Sequence, residues 1–211
     1  MNIRFSQREL KDLLIAWLAL GVAFAIFLNP GLLQSVLDPS DSPDLSAMSG
    51  ALALSLLTAG VGFLLHELAH KVVAIRFGQI AEFRADYNLL FLAIVGALAG
   101  FLFAAPGAVH HRGRITKREN GLISLAGPVT NLALAALFLG FLVAVTLSGI
   151  EGFLVEIGTF GVIINLLLAG FNMIPFGPLD GKKVLAWSKV VYVAVAVPSI
   201  GLALFALLGG I

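Results

Sequence analysis

Five long apolar stretches, at about residues 13–28, 49–75, 122–147, 153–174 and 184–208, dominate this chain. A helix needs about 20 mostly apolar residues to cross the hydrocarbon core of a bilayer, so each stretch qualifies as a span. Composition allows no other setting. Of 211 residues, 59% are hydrophobic and only 12% are charged, with a mean hydropathy of +1.02. Soluble domains carry about 25% charge, so too little polar surface exists here to coat a globule in water. The same figures exclude a disordered chain. A net charge of +1 provides no basic face for nucleic acid. With no cysteine, disulfides, thiolate-bound zinc, iron–sulfur clusters and thiol catalysis are ruled out. The expectation is an all-α polytopic membrane protein, a single transmembrane domain over 1–211 with no separate soluble module. The first stretch lacks a small-residue cleavage site and reads as a retained anchor.

A sixth apolar stretch, 89–109, is interrupted by Gly96 and Gly100 and broken by Ala105-Pro106-Gly107. Charge decides how to read it, because Lys and Arg favour the cytoplasmic side. Arg4, Arg8 and Lys11 put the N-terminus inside, and the acidic loop with Asp38, Asp41 and Asp44 falls outside. Lys71, Arg76 and Arg84 bring the chain back inside. The next cluster, Arg112, Arg114, Lys117 and Arg118, stays inside only if 89–109 dips in and returns. Glu151 then falls outside, with Lys182 and Lys183 inside. Five transmembrane helices plus a re-entrant segment are therefore expected, with six plain spans as the alternative. The membrane is expected to be the cell membrane. Irregular backbone at membrane depth must be buried in protein or line a wet cavity, so a re-entrant piece already hints at a site.

The second stretch contains His66-Glu67-Leu68-Ala69-His70, an H-E-x-x-H. Residues four apart on a helix stack on one face, so both imidazoles can bind one metal. Glu67 is placed to take a proton from a water on that metal. From 4 His and 6 Glu in this chain, chance supplies only about 0.002 such matches. Three ionisable groups within five residues of a span are also costly to keep for packing alone. A catalytic zinc takes three protein ligands, and without cysteine the third is His, Asp or Glu. His110 and His111 read as a solvated polar loop, and Glu156 falls towards the outer face. Asp180 sits at the inner end of the fourth stretch, where Pro175, Gly177, Pro178 and Gly181 free the backbone to turn a carboxylate inwards. Parity favours it, since the five-span topology brings His66, His70 and Asp180 to one side. The third stretch opens with Gly127-Pro128-Val129-Thr130-Asn131, where small residues permit close packing and Asn131 carries an amide into the bundle.

Together these residues resemble the site-2 protease family of intramembrane zinc metalloproteases. Its three signatures occur in order: HELAH at 66–70, GPVTN at 127–131 and N-x-x-P-x-x-x-L-D-G at 172–181. The resemblance implies one zinc per chain on His66, His70 and Asp180, with Glu67 as the catalytic base. It gives Asn131 and Asn172 a part in steadying the substrate strand or the oxyanion. It also implies hydrolysis of peptide bonds within or near transmembrane segments of membrane-protein substrates, and a re-entrant segment between the first two motifs. Unlike many relatives, the chain has no polar stretch long enough for a PDZ or CBS domain, and 89–103 is longer than the family's short β-type loops. Two other readings carry different expectations: a divalent-metal transporter, or an inactive relative that binds membrane helices without cutting them. A transporter has no use for Glu67 and shows no internal repeat here.

Overall fold

The computed structural model describes residues 3–29, 31, 44–101 and 107–210. Pro30, Asp38, Asp41 and the Ala105-Pro106 break lie outside them. Among the described residues, five helices are long and apolar enough to cross a membrane: α1 (Gln7–Leu28), α2 (Leu45–Arg76), α4 (Lys117–Leu147), α5 (Phe153–Asn172) and α7 (Lys189–Leu207). The protein is an all-α polytopic membrane protein, as expected, with a small β-ribbon added. Large apolar side chains such as Leu137, Leu139, Phe141 and Val143 of α4 face outwards, as a lipid-facing surface requires.

Local chemistry sets the helix boundaries. Ser6 caps α1 by accepting from the Glu9 N–H, and Asp44 caps α2 by accepting from Ser46 and Ala47. Thr116 and Glu119 form a reciprocal capping box at the start of α4. α2 carries a π-turn at Leu56–Gly60, where the Trp17 indole donates to the Leu56 carbonyl at 3.1 Å. Gly60 makes room for that ring, since a Cβ there would collide with it.

The fifth stretch of the sequence is not one helix. Short α6 (Asp180–Trp187) ends at Ser188, whose backbone is extended and whose side chain caps α7 by accepting from Val191 at 3.3 Å. The fifth span therefore starts at Lys189 rather than near Val184, because the Ser188 cap stops one helix and starts the next.

Between α2 and α4 the chain forms β1 (Ile80–Ala85), α3 (Tyr87–Leu98) and β2 (Gly107–Arg112). The strands pair antiparallel, with Ile80 opposite Arg112 and Ala85 opposite Gly107. Both ends of the intervening segment thus lie side by side, so it leaves and returns at one end of the bundle. α3 has 12 residues, about 18 Å of helix against about 30 Å of hydrocarbon. Five spans plus a returning segment is the topology, and the six-span alternative is excluded. His110 and His111, expected in a loop, stand on β2, and period-two alternation exposes His110 while half-burying His111.

α1 and the ribbon share a core of Ala16, Leu20, Phe63, Phe83 and Leu90. α3 packs on α1 through Ala23, Ala93 and Ala97. A polar network ties the same elements together. Lys71 donates to both Glu9 carboxylate oxygens, the nearer at 2.5 Å, and to the Arg4 carbonyl, while Glu9 Oε1 accepts from Phe83 N–H at 3.0 Å. Ser6 donates to Glu82, and Tyr87 donates to Asp12 at 2.7 Å. The ribbon is thereby clamped to the start of α1 and, through Glu9, to Lys71 of α2, one residue beyond His70.

Candidate metal centre

His66 and His70 stand one turn apart on α2 and point to the same side, their ring centroids 4.6 Å apart and their planes near perpendicular. Their Nε2 atoms lie 2.9 Å from each other. Asp180 Oδ2 lies 3.3 Å from Nε2 of His66 and 3.1 Å from Nε2 of His70. One ligand atom from each of the three residues falls within 4.8 Å of the others, and all three residues are buried.

Asp180 reaches this point because α5 ends at Asn172 and the chain folds back at once. Gly177, at φ +59°, allows the reversal. Gly181 lets the start of α6 press against the Met173 backbone, where any Cβ would collide. α4 closes the third side. Gly127 faces both imidazoles, and a Cβ at that position would strike the Nε2 atoms themselves. Gly127 and Gly181 thus serve close approach and Gly177 the turn, which explains why the second and third motifs carry such poor helix formers.

The hydrogen bonds fix the tautomers. His70 Nδ1 lies 2.7 Å from the Ile123 carbonyl, which only accepts, so Nδ1 carries the proton. His66 Nδ1 lies 2.6 Å from Asn131 Oδ1. The orientation of that amide is set by its Nδ2, which donates to the Gly62 carbonyl at 3.1 Å and to Asn165 Oδ1 at 2.9 Å. His66 Nδ1 is therefore also the protonated nitrogen. Both Nε2 lone pairs converge with a carboxylate in a buried space, an arrangement that would repel itself unless a cation sat among the three. A tetrahedral zinc with bonds of about 2.0–2.1 Å separates its ligands by about 3.3 Å, close to the spacings found here. The donor set fits zinc.

Glu67 is buried next to the first ligand, and its Oε2 has no hydrogen-bond partner among the described residues. It lines a cavity of about 100 Å³ together with His66, His70, Asn172, Asp180 and His111. Asn172 also lines this cavity, with Nδ2 donating to the Leu168 carbonyl at 2.9 Å. The structure thus brings His66, Glu67, His70, Asn172 and Asp180 to one cavity, while Asn131 acts from behind His66 with both N–H groups engaged. Glu156, at the opposite end of α5, is not part of the cluster.

Three participants were not legible as such in the sequence. Asn165, fully buried on α5, donates to the Gly161 carbonyl and holds the Asn131 amide; an Asn inside an apolar span was its one signal. The Ile123 carbonyl has no sequence signal, since every residue has a carbonyl. His111 reaches the cavity because it stands on a strand. Burial, followed by the positive charge of Lys183, pushes its imidazole below the ordinary range.

Three curated relatives are similar to this chain in sequence. "Putative zinc metalloprotease MJ0611" of Methanocaldococcus jannaschii is 42% identical over 204 residues, 96% of this chain and 96% of its own. "Putative zinc metalloprotease YwhC" of Bacillus subtilis is 35% identical over 147 residues, 62% of this chain and 66% of its own. "Putative zinc metalloprotease Rip3" of Mycobacterium tuberculosis is 37% identical over 122 residues, 57% of this chain and 27% of its own. No family model matches the chain, and no solved structure matches it significantly. Identity of this extent along nearly the whole chain, together with two helical histidines and an aspartate meeting from two separate motifs, means that the chain belongs to the site-2-protease-like family of zinc metalloproteases.

Proposed function

We propose that the protein is an intramembrane zinc metalloprotease that hydrolyses peptide bonds within or near transmembrane segments of other membrane proteins, the reaction of regulated intramembrane proteolysis. One observation carries this reading: two Nε2 lone pairs and a carboxylate converge beside a buried carboxylate with an unpartnered oxygen. His66, His70 and Asp180 would hold the zinc. Zinc bound there supplies Lewis acidity, which polarises a carbonyl and brings the acidity of water towards neutral pH. Glu67 takes a proton from the attacking water and passes it to the leaving nitrogen as the C–N bond breaks. Asn172 keeps a second N–H that can meet the developing oxyanion, whereas the N–H groups of Asn131 are already committed. The work of Asn131 is to hold His66 in one tautomer and one orientation.

The bundle supports the topology of this reaction. The site draws on the C-terminal part of α2, the N-terminal part of α4 and the end of α5, all at the end where the ribbon lies. The basic clusters support a cytoplasmic setting for that end. A helical substrate has its carbonyls bonded internally and must unwind before attack. β2 lines the cavity and offers backbone groups with which an unwound strand can pair.

The test joins metal content to cleavage. Detergent-purified protein should carry about one zinc per chain, lost or sharply reduced in His66→Ala and in Asp180→Asn, and only the zinc-loaded wild type should cut a model transmembrane substrate in liposomes. Zinc flux across those liposomes without cleavage would make the protein a transporter instead. Bound zinc with neither flux nor cleavage would make it an inactive relative.

A further inference from the structure

Beside the metal cavity lies a second one of about 290 Å³, lined by Phe5, Leu13, Leu64, Leu68, Phe83 and Val109. Glu67 and Val109 wall both cavities. Glu9 and Lys71 also border the second cavity, but they are bonded to each other and present no free charge to it. We propose that this cavity is the side-chain pocket that selects a large apolar residue beside the scissile bond of the substrate, an inference that rests on the protease reading above.

Position, size and chemistry each point to that occupant. A peptide bond set against Glu67 for proton transfer lies one wall away from the cavity. Val109 and His111 share a face of β2, and both line the metal cavity. Successive side chains of an extended strand leave to opposite sides, so a substrate running along β2 can send one of them past Val109 into the apolar space. At about 290 Å³ the cavity has ample room for one bulky side chain. A polar side chain in such walls is left without a partner. Burial of a leucine-sized side chain is worth about ten- to a hundredfold in kcat/KM.

The experiment uses the zinc-loaded full chain in liposomes and a model transmembrane substrate whose cut site is located by mass spectrometry. Each of the two residues flanking the cut is set in turn to Leu, Phe, Ala or Asp. At one position Leu and Phe should be cleaved about ten- to a hundredfold better than Ala, and Asp least of all. Leu64→Trp, which fills the cavity, should collapse or invert the Leu-to-Ala ratio. Leu13→Ala, which enlarges it, should shift the preference from Leu towards Phe and carries the test if the tryptophan variant does not fold. Ratios unchanged in these variants overturn the pocket while the protease reading stands. A lipid acyl chain held by wild type, lost in Leu64→Trp and accompanied by no side-chain preference, overturns it as well. Absence of any cleavage by zinc-loaded wild type overturns the protease reading, and the pocket falls with it.

Discussion

Asn131 Oδ1 lies 2.6 Å from Nδ1 of His66, and this one bond decides which nitrogen of the imidazole faces the metal position. Asn131 is itself held by Gly62 and Asn165, so the ligand is oriented through a chain that crosses α2, α4 and α5. Asn131→Ala should lower zinc affinity about 10- to 100-fold, measured by competition with a chromogenic chelator. Asn165→Ala should act in the same direction by a smaller factor, because it frees Asn131 to turn. Unchanged affinity in both variants would remove the orienting role.

Among the described residues, Glu67 offers the one buried carboxylate oxygen in this cavity without a partner. Glu67→Gln preserves shape and removes the base. Cleavage should fall by at least about 10²–10⁴-fold while zinc content stays at the wild-type level. Undiminished turnover would refute the assignment.

A methyl group at position 127 would occupy the space between the two Nε2 atoms. Gly127→Ala should therefore lose zinc although alanine is the better helix former. The expected pattern is an unchanged far-UV circular dichroism spectrum with a metal content well below one per chain. Full zinc occupancy in that variant would show that α4 can move away at little cost.

Glu9 and Lys71 form an ion pair with both side chains almost wholly buried, and Glu9 also serves the Phe83 N–H of the ribbon. Removing one partner leaves an uncompensated charge, so Lys71→Met should destabilise the fold by about 3–5 kcal/mol. Chemical unfolding in detergent reads this directly. A loss below about 1 kcal/mol would mean that water or lipid headgroups reach Glu9.

The His111 imidazole titrates below its ordinary value of 6.5, because burial and then the Lys183 charge disfavour its protonated form. A lowered histidine pKa means that the unfolded chain binds the proton more readily. The folded ribbon therefore loses stability as pH falls below about 6.5, until His111 itself protonates. Solid-state NMR of labelled histidine in metal-free protein should find the His111 midpoint below 6.5, and Lys183→Gln should move it upwards. A midpoint at or above 6.5 in wild type would contradict the half-buried placement on β2.

Two features of the ribbon mark the limits of what could be read along the chain. The Arg112–Arg118 cluster required 89–109 to return to its own side, and the pairing of Ala85 with Gly107 is that return. Nothing in the local pattern of 80–85 or 107–112 announced strands, because a short two-stranded ribbon between apolar helices shows little alternation of its own. Likewise Ser188 splits the last apolar stretch by a single cap, too small a signal to override continuous hydropathy.

By itself the sequence determined the membrane setting, the five long apolar stretches and the spacing of His66, Glu67 and His70. These are local properties: hydrocarbon solvation acts residue by residue, and a helix fixes which side chains share a face four positions apart. Only the tertiary structure decided that the Ile123 carbonyl and Asn131 would fix both tautomers, that Asn165 would stand behind them, that Gly127 must lack a side chain and that a second cavity would open beside Glu67. These contacts join residues 34 to 65 positions apart. Their partners are chosen by how helices pack against one another, and no periodicity along the chain encodes that choice.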